Sequence, residues 1–175
     1  IEYRSTAQVA YTTAFQNAFN VAAANLQAVF IPSGTWRFTG TLHAGNITIL
    51  CQGNNNTFLV FDDGSTVGDG IQVGHSSFNM SGCNYDRKQA GTAGALLHLT
   101  DSYQTSVFNN QFPGPNAFNG VTIDSATHEP NTISVHDNLA SNWINDFAFL
   151  NSQNASYPVY TDYFENNKLT SAGHA

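Results

Sequence analysis

Apolar and polar residues keep two different periods along this chain. Phe15, Ala18, Phe19, Ala22 and Leu26 recur at three- and four-residue intervals, which gathers them on one helical face. Thr13-Ala14-Phe15-Gln16 has the form of a capping box, so the spacing predicts a helix over Thr13–Asn25 with Thr13 as its N-cap. After that the period falls to two. Val29–Ile31 and Thr35–Leu42 alternate on either side of a Pro32-Ser33-Gly34 turn and predict a pair of strands. The helical period does not return.

Short alternating runs then repeat. They open at Ile47, Ile71, Ala95, Val121 and Phe147, with spacings of 24, 24, 26 and 26. A second alignment superimposes Val107–Asn110, Val135–Asn138 and Phe164–Asn167 at spacings of 28 and 29. Short strands repeating every twenty-odd residues with no helix between them predict a solenoid, because no single turn can bury its own apolar face. The inward columns expected from the first alignment are Ile71, Ala95, Val121 and Phe147, then Val73, Leu97, Ile123 and Phe149. The second alignment predicts a side-chain amide ladder of Asn110, Asn138 and Asn167 at a sharp turn. The fold class is therefore all-β, a parallel β-helix of about five to six coils with an N-terminal capping α-helix. Residues 1–28 are the lead-in and cap, and 29–175 the solenoid.

Composition narrows the partners. Charged residues make up only 10% of the chain, and Asn, Gly, Ser and Thr take their place. A formal net charge of −7 with five Lys plus Arg disfavours nucleic acid and anionic membrane, both of which are held by clustered cations. No apolar run approaches the ~18 residues of a membrane span. Cys51 and Cys83 could form one disulfide, but Cys51 ends a strand-like run and reads as a small buried hydrophobe.

The segment Ala14–Leu42, with V-F-I-P-S-G-T-W at its centre, resembles the opening of pectate-lyase-like right-handed parallel β-helix proteins. In that group a capping helix precedes a V-x-I-P-x-G-T-Y strand pair, and Gln52–Thr57 sits where the group has a G-x-G-x-x-T turn. The resemblance implies a right-handed coil. It covers roughly a sixth of the chain in its opening motif. The group holds lyases, hydrolases and non-catalytic adhesins, including bacteriophage tailspikes and depolymerases, so it is silent on reaction. Signatures of the polygalacturonase branch are absent, and so is the arginine-rich calcium site of pectate lyases. The resemblance implies a phage tailspike-like protein that binds, and as an enzyme would depolymerise, a bacterial surface polysaccharide. The location it implies is the virion tail or the extracellular medium. The alternatives are a secreted polysaccharide lyase or glycoside hydrolase, and a non-catalytic adhesin or structural spike. The end at Ser171–Ala175 carries no capping pattern, so the expectation is either that the chain is a fragment of a longer one or that oligomerisation covers that end, and a homotrimer is what the phage-spike resemblance implies. No metal or other cofactor is expected.

Candidate chemistry falls on outward columns. The first alignment puts His98 and Asp124 on one column, and the second puts His136 beside Glu165. An imidazole and a carboxylate within ~5 Å can act as general acid and base. Asp101 or Glu129 could join Asp124 as the second carboxylate of a glycosidase. Asp69-Gly70 reads as turn chemistry. Trp143, Tyr103 and Tyr160 are the candidate sugar-stacking rings, and Trp36 reads as core packing.

Overall fold

The alternating residues after Gln27 form strands, and the strands wind. The computed structural model describes residues 6–62, 68–87, 93–113, 119–141, 148–152, 156–159 and 162–170. One helix, α1 (Thr6–Asn25), is followed by β1 (Ala28–Ile31), β2 (Gly34–Phe38) and β3 (Leu42–Ala44) as a first turn. The next turn is β4 (Ile47–Cys51), β5 (Thr57–Phe61) and β6 (Ile71–Val73), then β7 (Phe78–Ser81), β8 (Asn84–Arg87) and β9 (Ala95–Thr100). β10 (Tyr103–Phe108), β11 (Gln111–Pro113) and β12 (Asn119–Ser125) precede β13 (Asn131–His136), β14 (Leu139–Ser141) and β15 (Ala148–Ser152). The chain continues with β16 (Asp162–Glu165) and β17 (Lys168–Thr170). Every strand pairs in parallel with the strand three later. The result is three sheets: β1-β4-β7-β10-β13-β16, β2-β5-β8-β11-β14-β17 and β3-β6-β9-β12-β15. The molecule is a parallel β-helix with a helical cap.

Inward columns fill it. In the first sheet Val29, Ile49, Met80, Val107 and Val135 lie in register. In the third, Leu42, Ile71, Leu97 and Val121 stack, with Ala44, Val73, Leu99 and Ile123 beside them. All belong to one core, which Val29 borders as a partly buried neighbour and which reaches from Phe19 to Ala140. The first alignment is thus corrected by two residues, since Leu97, not Ala95, stands between Ile71 and Val121. A two-residue slip leaves each side chain on its own face, which is why the alternation gave no warning. Ile47 lies in a different sheet from Ile71. Further on, Val121 pairs with Ala148 and Thr122 with Phe149, so the expected Phe149 column is out by one; Phe147 lies outside the described residues.

The second alignment matches the register residue for residue. Each turn bends at a left-handed residue, Asn109 (φ 54°), Asp137 (φ 55°) or Asn166 (φ 54°), and the Asn that follows points inward. Asn138 Oδ1 accepts from Asn110 N (3.0 Å) and Asn110 Nδ2 (3.2 Å), and Asn167 Oδ1 accepts from Asn138 N and Nδ2 (3.0 Å each). At the upper end Cys83 N donates to Asn110 Oδ1 (3.0 Å). Cys83 holds the ladder position there and is disulfide-bonded to Cys51, which corrects the reading of Cys51 as a free hydrophobe.

The helix is longer than its expected span and begins at Thr6, so Thr13 is interior and not an N-cap. Gln16 is spent elsewhere. Its Nε2 donates to His43 O (2.8 Å) and its Oε1 accepts from His43 N (2.8 Å), which closes the open edge of β3 as a neighbouring strand would. Thr12 Oγ1 accepts from Thr39 N (3.0 Å) in the same manner. Below the helix Phe15 packs on Trp36 and Phe38, with ring centroids at 5.3 and 5.0 Å, so Trp36 is a packing residue as its position suggested.

Candidate functional site

His98 and Asp124 do meet, with a third residue. The two-residue shift makes Thr122 the neighbour of His98, and Asp124 reaches it diagonally from beside Thr100. His98 Nε2 lies 2.9 Å from Asp124 Oδ2, and Nδ1 lies 2.7 Å from Asp69 Oδ2. Asp69 is held by Ala95 N, which donates to Oδ1 (2.8 Å), and by the Thr41 hydroxyl, which donates to its carbonyl (2.7 Å). Burial alone would lower the His98 pKa. The hydrogen bonds and charges of Asp124 and Asp69 outweigh it and push the value up to about 10. An imidazole with a carboxylate oxygen on each nitrogen stays protonated at neutral pH and is a poor general base. Such a ring also fills the space between the two acids, where a glycosidase needs its sugar and water. Asp69–His98–Asp124 is a clasp across three successive turns.

Asp101 does not serve Asp124. Burial opposes its charge, but the Ala126 and Thr127 backbone N–H groups and the Thr127 hydroxyl hold its pKa below the usual carboxylate range. Above that turn the His75 and His128 rings stack at 4.0 Å, and the Tyr103 ring lies 5.1 Å from His75. Glu129 is exposed.

The outer face of the first sheet carries the other group. His136 and Glu165 are register partners, as expected, but His136 turns to its own neighbour: Nδ1 lies 2.8 Å from Asp137 Oδ2. Its ring stacks on Phe108 at 5.3 Å with planes 3° apart, and Nε2 lies 3.5 Å from Ser106 Oγ. Ser106 stands between Asn79 and Ser134 in register. Beside them opens a cleft of about 420 Å³ lined by Leu26, Gln27, Asn46, Ile47, Thr48, Ser77, Asn79, Tyr103 and Gln104. Among the described residues, no lining side chain is charged. Gln104 (φ 48°), which lines the cleft, and Thr132 (φ 56°), one turn on, both hold left-handed backbone, which costs a β-branched residue such as Thr132 most.

Of the expected sugar-stacking rings, Tyr103 lines this cleft, while Trp143 and Tyr160 lie outside the described residues. Asp69, Ser106, Asp137 and Asn79 were not read as site residues from the sequence. Asp69 was masked by its turn-like Asp-Gly, whereas the alignment of Val107 with Val135 already put Ser106 two positions diagonal to His136. Among the described residues, no group of three or more His, Cys, Asp or Glu side chains is arranged to hold a metal ion, and no helix is long and apolar enough to cross a membrane.

Comparison of the chain with family models, curated proteins and solved structures finds no match. Fold and site alone define the class: a parallel β-solenoid, capped by a helix, with an uncharged polar cleft on one outer sheet.

Proposed function

We propose that this chain is an extracellular saccharide-binding β-solenoid whose ligand is a bacterial surface polysaccharide or a similar neutral polymer. The cleft carries this reading. Its amides and hydroxyls (Gln27, Asn46, Thr48, Ser77, Asn79, Gln104) match the donors and acceptors of a sugar, and Tyr103 offers a ring with a polar tip. The sheet around it lets a polymer lie along the solenoid axis, with fresh polar side chains at each strand, every ~4.8 Å. The net charge of −7 favours a neutral polymer over a polyanion.

Two settings fit that reading, a phage tail spike and a secreted protein. The Cys51–Cys83 disulfide favours the secreted one, since disulfides persist in oxidising compartments and a phage spike assembles in a reducing cytosol. Light scattering separates them: a mass three times that of the chain supports the trimeric spike, and a monomer supports the secreted protein. The binding itself is tested by affinity electrophoresis through gels containing neutral glucans, mannans and galactans, lipopolysaccharide, polygalacturonate or alginate. Retardation by a neutral polymer or by lipopolysaccharide supports the proposal, and unchanged migration in every gel removes it.

A further inference from the structure

Three side chains on the outer face of the first sheet stand in the order that acyl transfer requires. Ser106 Oγ lies 3.5 Å from His136 Nε2, and His136 Nδ1 lies 2.8 Å from Asp137 Oδ2. The two nitrogens thus have different partners: a carboxylate fixes the Nδ1–H tautomer and leaves Nε2 to accept the serine proton. Such a constellation is recognised by geometry and roles, whatever the fold or chain order. Separations slightly above hydrogen-bond length between nucleophile and base are usual without substrate. The ring is held in plane by Phe108, stacked 3° from parallel. Asp137 sits at a left-handed turn (φ 55°), the bend that the following Asn138 locks into the buried ladder. Nucleophile, base and orienting acid therefore rest on rigid strand and corner backbone.

We infer that Ser106, His136 and Asp137 form an esterase site whose substrate is an O-acyl ester of a neutral sugar, with the sugar in the adjoining cleft. Ser106 Oγ adds to the acyl carbon as its proton passes to His136 Nε2. The tetrahedral oxyanion forms between Ser106 and its register neighbour Asn79, whose side-chain N–H can donate to it, as an amide does in an oxyanion hole. Collapse breaks the ester C–O bond, and the sugar hydroxyl leaves with the proton from His136. Water, deprotonated by the same nitrogen, then releases the carboxylic acid and restores Ser106. Asn79 also lines the cleft, so one residue joins the reacting atoms to the bound sugar. Asp69–His98–Asp124 lies in another sheet and takes no part.

The test uses the whole chain with 4-nitrophenyl acetate and with O-acetylated glucomannan, together with labelling by a serine-directed fluorophosphonate. The expected result is hydrolysis of both esters above the buffer rate and a label on Ser106. Ser106→Ala abolishes the label and lowers the rate about a thousandfold or to background. Asp137→Asn lowers kcat about a hundredfold or more at unchanged KM, because an amide carries no charge to fix the Nδ1–H tautomer or to stabilise the imidazolium that forms. His43→Ala, an exposed side chain on β3 in the third sheet, leaves both readouts as in the wild type. Hydrolysis no faster than buffer overturns the assignment, and so does activity or labelling that survives Ser106→Ala in a variant with wild-type circular dichroism. Polymer binding without ester hydrolysis overturns the esterase and leaves the saccharide-binding reading standing.

Discussion

His98 is a histidine whose surroundings have decided its charge. Two acids hold it as an imidazolium with a pKa of about 10, against an ordinary value of 6.5. A folded-state pKa raised in this way adds stability that is fully present below pH 6.5 and is lost as pH climbs toward 10. Chemical denaturation at pH 6 and pH 10 checks this: the wild type should lose more stability across that interval than His98→Gln does. Equal losses would show that the clasp carries no such linkage. At neutral pH His98→Ala should cost about 3–5 kcal/mol, because it leaves the buried Asp124 carboxylate without its cation. The clasp was half legible in sequence. Outward parity paired His98 with Asp124, but Asp69 enters from a turn whose length no periodicity fixes. That third residue turns an apparent acid–base pair into a fastening. His136 differs in kind, since one acid orients it and its other nitrogen faces a hydroxyl.

Elements in this molecule are fastened by side chains that act as backbone. Gln16 offers β3 both a donor and an acceptor, and the ladder Asn residues do the same for the corners. Gln16→Ala should therefore cost about 0.5–1.5 kcal/mol, since it removes two exposed hydrogen bonds to the His43 edge that water replaces only in part, and thermal unfolding measures it. Asn138→Ala should cost more, about 3 kcal/mol or above, because Asn138 joins Asn110, Asn167 and Val107 O (3.0 Å) at once in a buried site. An equal cost for the exposed Asn131→Ala would contradict the ladder account. The ladder was fully readable, because its corner motif of residue, left-handed residue and Asn repeats without insertion. The helix start was not. Thr13-x-x-Gln16 has the pattern of a cap, but Gln16 finds a partner 27 residues away, and pattern alone does not distinguish the two uses. Register in the third sheet slipped by two for a related reason: variable corners between β6, β9 and β12 hide their lengths behind an unchanged alternation.

Across the whole molecule the three sheets have separate duties. The second sheet packs aromatic rings on successive turns, as in Phe38 against Phe61 and Tyr85 against Phe112, both at about 5 Å. The third carries the clasp. The first presents the uncharged cleft, the strained Gln104 and Thr132, and the Ser106–His136–Asp137 group on one outer face. The disulfide ties β4 to the corner after β7 beneath that same sheet, so the turns under the cleft are the ones cross-linked. Solenoid architecture was legible because a period of two, repeated at a fixed interval, has few other solutions. The cleft was not, because it is assembled from corners and strands of several turns, and only Tyr103 stood out by residue type. The claim on which most rests is that this cleft receives a neutral sugar. Titration calorimetry of the wild type and of Asn79→Arg with the neutral polysaccharide panel tests it most directly. The cleft account predicts saturable binding that Asn79→Arg weakens about tenfold or more at unchanged thermal stability. Equal affinities for the two proteins, or binding of polygalacturonate alone, would contradict it.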